Sequence, residues 1–74
     1  MKRHQFNYQK LKGKIVEENQ NREKLANRLG VSRTTLIYKL NNKVPFKQDE
    51  IIELTEILKI PKEEIYNYFF TTNV

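Results

Sequence analysis

The chain has 74 residues and a formal net charge of +5, the size of one small domain with no room for a second hydrophobic core. Hydrophobic residues make up 38% and charged residues 31%, and no apolar run approaches the roughly 18 residues of a membrane span, so neither a membrane protein nor a disordered chain is expected. The sequence has no cysteine, and His4 is its one imidazole, so we expect no enzyme, no metal, no cofactor and no small-molecule ligand.

The first predicted helix covers residues 8–18. Its apolar residues recur at spacings of three and four, as on one helix face: Tyr8, Leu11 and Ile15. Asn7 precedes them as a candidate cap. Gly13 lies inside this helix, where glycine costs about 1 kcal/mol relative to alanine. Close packing of another helix against Gly13 would explain its presence.

Two short helices follow, joined by a turn that contains glycine. Asn21 is a candidate cap for the second helix, and Gly30 ends it because glycine tolerates the left-handed conformation. The second helix has one apolar face: Leu25, Ala26 and Leu29. Ser32 then caps a third helix over residues 33–41. The third helix places Leu36 and Leu40 inside, and outside it places Thr34, Tyr38 and Asn41.

The remaining chain predicts two further helices. Pro45 breaks the helical pattern, so a loop follows the third helix. A fourth helix covers residues 48–59, with acidic residues in its first turn. Its apolar stripe contains Ile51, Leu54 and Leu58. Pro61 opens a fifth helix, since proline suits the first helical position, and Ile65 and Phe69 lie on its apolar side.

The segment 66–70 near the carboxyl terminus is rich in aromatic residues, and two interpretations of it stay open. Phe69 and Phe70 either complete the core of the domain or form a self-association surface. Ile52 and Ile57 lie off the main stripe of the fourth helix. They therefore either pack against the fifth helix or join that surface.

Charge divides the chain into a basic and an acidic part. Residues 1–47 carry twelve Lys and Arg against three Glu, whereas residues 48–74 carry two Lys against six Asp and Glu. This asymmetry presents an electropositive face to a polyanion such as nucleic acid, although ordinary solvated lysines would give the same count. No apolar signal segment opens the chain, so we expect one cytoplasmic domain. It would comprise a flexible basic arm at 1–7, a helical core at 8–70 and a tail at 71–74.

The run from Leu25 to Leu36 carries the strongest motif. It has a small residue, Ala26, where two helices must cross closely, and a glycine, Gly30, at the turn. This run resembles the helix-turn-helix of the lambda-repressor-like family of regulators, the Cro/cI or XRE group. The resemblance covers residues 8–69 and implies an all-α, compact five-helix DNA-binding domain with the helix-turn-helix at helices 2 and 3. Three shorter stretches look like phage- and prophage-encoded regulators: 39–43, 46–48 and 68–70.

The resemblance implies roles for individual residues. Base edges would be read from the third helix by Ser32, Arg33, Thr34 and Tyr38. The DNA backbone would be contacted by Asn21, Arg22, Lys39, Asn41, Asn42 and Lys43. Arg33 could donate two hydrogen bonds to guanine; the alternative for this residue is a phosphate contact or a solvated side chain. Tyr38 could contact the DNA, or it could be partly buried beside the fourth helix. Lys39 stands where many relatives have an apolar residue, which leaves the rotation of the third helix open.

Two functions of different classes are compatible with the sequence. The first is a sequence-specific regulator of transcription, a Cro-like phage repressor that binds double-stranded DNA at an inverted repeat as a homodimer, in solution or only on DNA. The basic arm would then follow the duplex through Lys2, Arg3 and His4, or remain a disordered tail. The second is a protein-binding adaptor or antirepressor that retains the fold. Basic residues without a neighbouring acid in the third helix and its loop favour the first.

Overall fold

The computed structural model describes residues 5–72, and five helices build its fold. They are α1 (Gln9–Glu17), α2 (Arg22–Leu29), α3 (Arg33–Leu40), α4 (Gln48–Ile57) and α5 (Ile65–Phe69). A 3₁₀ turn, Lys62–Glu64, leads into α5. The structure has no strand between residues 5 and 72, where one isolated bridge pairs Phe6 with Thr72. The predicted all-α, five-helix fold is confirmed.

Local hydrogen bonds define the ends of α2 and α3. The Oδ1 atom of Asn21 accepts from the backbone N–H of Glu23 at 2.8 Å and of Lys24 at 3.1 Å. Gly30 ends α2 in the left-handed conformation, with φ 74°. The Oγ atom of Ser32 accepts from the N–H of Thr35 at 3.1 Å and starts α3. These contacts confirm the two predicted caps and the predicted glycine stop. All three could be predicted because each depends on neighbours within a few residues.

The carboxyl-terminal end of α4 comes two residues earlier than the sequence predicts. Lys59 adopts a left-handed conformation with φ 57°. The N–H of Ile60 donates to the carbonyl oxygen of Thr55 at 2.9 Å, which closes the helix and turns Ile60 into the core. Pro61 then precedes a 3₁₀ turn, so the fifth predicted helix is α-helical only from Ile65 onwards.

One apolar core holds the helices together. Its buried side chains come from every helix and from the connections: Tyr8, Leu11, Ile15, Leu25, Ala26, Leu36, Leu40, Leu54, Ile57, Leu58, Ile60, Tyr68 and Phe69. The small side chain of Ala26 is buried, and α2 packs against α3, as the motif predicts. Leu29 and Ile51 pack at the edge of the core and are partly buried. No helix within the described residues is long and apolar enough to cross a membrane.

Gly13 does not serve the role that the sequence suggests. It lies on the exposed side of α1, and a Cβ atom added there would meet no other atom within 4 Å. The expected close packing of a helix against Gly13 is therefore wrong. The glycine leaves α1 with a local energetic cost that no tertiary contact offsets.

The segment at Phe6 and Asn7 meets the segment at Thr71 and Thr72 beside the loop after α3. The N–H of Asn7 donates to the carbonyl oxygen of Thr71 at 2.7 Å. The side chain of Asn42 accepts from the N–H of Phe6 at 2.8 Å and donates to its carbonyl oxygen at 2.6 Å. The predicted arm 1–7 and tail 71–74 are thus wrong for Phe6, Asn7 and Thr71. The arm residues Lys2, Arg3 and His4 lie outside the described residues.

Asn7 also contributes to the start of α1. Its Oδ1 atom accepts from the N–H of Gln9 at 3.0 Å, while Tyr8 occupies the position that borders the helix. The predicted cap therefore lies one residue before the helix boundary, and its hydrogen bond reaches the first helical residue.

The aromatic carboxyl-terminal segment is divided between core and surface. Phe69 is buried and makes an edge contact with Phe46, with 5.9 Å between ring centroids. Phe70 is partly exposed and makes an edge contact with Phe6 at 6.4 Å. Ile57 is buried in the core, whereas Ile52 is 58% exposed. Phe69 and Ile57 therefore follow the core interpretation, and Ile52 remains on the surface.

Candidate nucleic-acid interface

The rotation of α3 decides which side chains face away from the core. Leu36, Lys39 and Leu40 are buried, which fixes the inner face of the helix. The four residues predicted to read base edges are exposed: Ser32, Arg33, Thr34 and Tyr38. The first turn and one side of α3 therefore present polar groups to solvent. This is the arrangement that a helix needs to approach a groove of DNA.

Arg33 lies beside the start of α2. An open cleft of about 320 Å³ is lined by Arg33 together with Asn21, Arg22 and Glu23. Within the described part of the chain, neither Arg33 nor Arg22 forms an ion pair. The structure thus brings the strongest predicted base contact next to two predicted backbone contacts. The positive end of the α2 dipole adds to the attraction for an anion at this place.

Ser32 has a competing structural role. Its hydroxyl accepts from the N–H of Thr35 at 3.1 Å and donates to the Thr35 hydroxyl at 2.9 Å. A base contact through the Ser32 hydroxyl would have to share or replace this cap. The side chains of Arg33 and Thr34 form no hydrogen bond with another residue between 5 and 72.

Tyr38 and Lys43 form a second exposed feature. The Tyr38 side chain is 46% exposed. The Nζ atom of Lys43 lies 5.8 Å from its ring centroid, in a cation–π contact, and the Lys43 N–H donates to the Tyr38 carbonyl oxygen at 2.8 Å. The ring therefore projects from α3 with a basic group beside it, and the alternative of partial burial against α4 is not needed to explain it.

Lys39 does not reach the surface. It is 3% exposed, and its Nζ atom lies 2.9 Å from Oε1 of Glu50 and donates to the carbonyl oxygen of Pro45 at 2.9 Å. Glu50 Oε1 also accepts from the N–H of Lys47 at 2.8 Å. The prediction that Lys39 contacts the DNA backbone is therefore wrong. Lys39 occupies an inner helix position, where the paired carboxylate compensates the cost of burying its charge.

The loop after α3 divides the two asparagines that were assigned to phosphate contacts. Asn41 is exposed, and its Oδ1 atom accepts from Nζ of Lys12 at 3.4 Å. Asn42 adopts a left-handed conformation with φ 65°, and its amide is occupied by the two hydrogen bonds to Phe6. The Asn42 side chain thus has a structural role, and its contact with phosphate stays a prediction. Asparagine in this conformation commonly ends helices, and that was the available signal for a structural role.

The structure adds two basic residues that the sequence interpretation left without a role. Lys24 and Arg28 are exposed on α2 and lie one turn apart. Their spacing of four residues was the signal that could have identified them. Together with Arg22 and Arg33, they give the α2–turn–α3 unit four cations besides the buried Lys39, against a single acidic residue, Glu23.

The sequence and the fold have known counterparts. Residues 4–72 match the family model described as "Protein of unknown function (DUF739)". The chain belongs to this family. It is also similar to a solved structure, the solution structure of the modulator of repression (MOR) of the temperate bacteriophage TP901-1 from Lactococcus lactis. The two chains are 37% identical, the similarity covers 88% of each, and the TM-score is 0.70. No curated protein matches the chain.

These matches bear on the expectations in different ways. The solved neighbour supports the compact all-helical fold. The neighbour is a phage regulatory protein, which agrees with the resemblance of residues 39–43, 46–48 and 68–70 of this chain to phage regulators. Neither match carries the name of the lambda-repressor-like family, so that membership stays a prediction.

Proposed function

We propose that this protein is a phage regulator that acts in the control of repression by binding double-stranded DNA through α3. The observation that carries the proposal is the exposed first turn of α3, where Arg33 has no ion pair within the described residues and lies beside the start of α2. The regulatory context is supported by the solved neighbour, a phage modulator of repression.

The roles of the side chains follow from their chemistry and position. Arg33 donates two hydrogen bonds to the O6 and N7 atoms of guanine, and Thr34 contacts a thymine methyl group or a base edge. Asn21 and Arg22, at the start of α2, position the domain on phosphate groups. Lys43 contacts phosphate from the far end of α3, and Tyr38 places its ring or hydroxyl against the duplex between these groups.

A single domain of this size is a small DNA reader. One module buries roughly 600–1,000 Å² of protein surface on DNA, which limits its specificity. We therefore propose that two copies bind an inverted repeat, with half-sites about one helical turn apart. Regulation would then depend on protein concentration and on occupancy of the operator.

The test combines selection with titration. Duplexes selected from a random library are titrated by fluorescence anisotropy against scrambled DNA at two salt concentrations. We expect a two-fold-symmetric sequence that binds at least about a thousandfold more tightly than scrambled DNA. Arg33→Ala should lose about 1–3 kcal/mol at one base pair, whereas Lys43→Ala should weaken binding to all DNA and lower the salt slope by about one.

Lys62→Ala is the matched control, because Lys62 is exposed in the acidic half and its replacement removes the same charge. DNA binding through α3 predicts that this variant keeps full discrimination. Equal losses in Arg33→Ala and Lys62→Ala would show that only net charge matters. Weak binding that disappears with added salt, without any enriched sequence, would reject an operator.

The second candidate is a protein-binding adaptor or antirepressor. The neighbour's own name, modulator of repression, favours this candidate as well as it favours a DNA-binding repressor. A specific feature of this chain adds to it, since an exposed isoleucine, Ile52, lies in the acidic half of the molecule. Under this candidate, Arg33→Ala would leave regulation intact.

A further inference from the structure

An aliphatic groove lies between α4 and the segment that leads into α5. Its volume is about 270 Å³, and its apolar floor is formed by four isoleucines: Ile51, Ile52, Ile60 and Ile65. Ile60 is buried at the base, Ile51 and Ile65 are half-buried, and Ile52 is the most exposed of the four. No residue of α2 or α3 lines this groove, so it is a separate feature from the proposed DNA-binding face.

Carboxylates surround the exposed isoleucine. Asp49 and Glu56 lie three before and four after Ile52, on its side of α4, and Glu53 follows it on the adjacent side of the helix; of the three, Glu56 lines the groove. None of the three forms an ion pair with another residue between 5 and 72. The opposite wall contributes one cation, Lys62. The groove therefore combines an apolar floor with a rim of excess negative charge.

Other carboxylates of the described residues have a cation within 4 Å. Glu50 is neutralised by Lys39 at 2.9 Å, and Glu64 is paired with Lys10 at 3.2 Å. Glu18 likewise has Lys14 at 3.5 Å. Asp49, Glu53 and Glu56 have no such cation among these described residues, and the apolar side chain of Ile52 is exposed beside them.

We propose that this groove binds an amphipathic helix of a partner protein. The partner inserts aliphatic side chains at spacings of three and four residues beside Ile52 and places Lys or Arg opposite Asp49, Glu53 and Glu56. The volume is slightly below that of small-molecule sites, which are roughly 300–1,000 Å³, and suits a few inserted side chains. This inference specifies the kind of partner that the second candidate function needs, and it does not depend on DNA binding.

Charge argues against two other occupants. A two-fold contact between copies of this chain through the same groove would place each carboxylate rim against its equivalent. That arrangement would bring like charges together. An anionic lipid surface would be repelled for the same reason. A basic helix is the occupant that complements both the floor and the rim.

The test uses the full chain and synthetic peptides. A peptide of about 18 residues carries leucine at helical spacings of three and four and lysine elsewhere; its matched partner has glutamate in place of lysine. Both are titrated into protein labelled at isoleucine methyl groups, in the absence of DNA. We expect saturable shifts at Ile51, Ile52 and Ile65, and binding of the lysine peptide at least about tenfold tighter than the glutamate peptide at low salt.

Variants separate the floor from the rim. Ile52→Ala should weaken binding of the lysine peptide at least about tenfold. The control Val16→Ala, a truncation of a more exposed aliphatic side chain on α1, should leave that binding unchanged. Combined replacement of Asp49 by Asn and of Glu53 and Glu56 by Gln should remove the preference for lysine over glutamate.

Four results would overturn the proposal. They are equal binding of the two peptides, shifts confined to α2 and α3, no saturable shift up to roughly 1 mM peptide, and concentration-dependent shifts of the same methyl groups without peptide, which would indicate a second copy. DNA titration of Ile52→Ala keeps this test separate from the proposed DNA function, because that variant retains every residue of the α3 surface.

Discussion

Glu50→Gln would leave the buried ammonium group of Lys39 without its counterion. The pair is formed at 2.9 Å, with both side chains almost fully buried. Removing one partner of such a pair costs about 3–5 kcal/mol, since the remaining charge stays away from water. A 74-residue domain has a total stability of roughly 4–11 kcal/mol. The single variant should therefore lose a large part of its free energy of unfolding.

The double variant Lys39→Met with Glu50→Gln tests the reason for this loss. Methionine follows the path of the lysine stem without charge, and glutamine keeps an acceptor for the N–H of Lys47. With no charge left in the core, we expect the double variant to be more stable than the less stable of the two single variants by at least about 2 kcal/mol. Urea unfolding followed by circular dichroism measures all four proteins.

An exposed ion pair provides the control. Lys10 and Glu64 lie 3.2 Å apart, with side chains 48% and 38% exposed. The same substitutions there, Lys10→Met and Glu64→Gln, should show a coupling below about 1 kcal/mol. If the losses at Lys39 and Glu50 simply add, or if the coupling there equals that of the exposed pair, the argument from burial is refuted.

Two further substitutions test local features of the chain. Gly13→Ala should stabilise the protein by up to about 1 kcal/mol, because the added methyl group meets no other atom within 4 Å. Gly30→Ala should destabilise it by about 1 kcal/mol, because φ is 74° at this position. Thermal unfolding that shifts in the same direction for both variants would contradict this reasoning. Asn42→Ala should remove both hydrogen bonds to Phe6, lower the free energy of unfolding by about 1–3 kcal/mol and accelerate hydrogen exchange of the Phe6 amide. Unchanged exchange at Phe6 would show that the pairing with Thr72 suffices to hold this segment.

The caps and the turn of the α2–turn–α3 unit could be predicted because their partners are close in sequence. Asn21 and Ser32 bind N–H groups two or three residues away, and the conformation of Gly30 depends on its own lack of a side chain. The exposure of Arg33 followed from the same local order, since the cap sets where α3 begins. The fold class and the presentation of the predicted base-contacting residues are therefore consequences of short-range information.

Contacts between distant residues decided the remaining features. The partner of Asn42 is Phe6, 36 residues away, and the N–H of Asn7 donates to the carbonyl oxygen of Thr71. These hydrogen bonds made Phe6 and Thr71 part of the fold instead of arm and tail. A pattern of residue types does not say which polar group will meet another after the chain has closed, because burial and geometry depend on the packed helices.

The amino-acid sequence by itself determined the helices, their caps and a basic first half, because propensity, capping and net charge act locally or are simple sums over residues. Only the tertiary structure decided that Lys39 turns inward to Glu50 while Ile52 stays outside among carboxylates. The first outcome depends on how α3 and α4 are rotated against each other, and the second on how α4 is rotated against the core. That rotation is a property of the complete core, in which the largest buried apolar area and the pairing of every buried charge must be satisfied together.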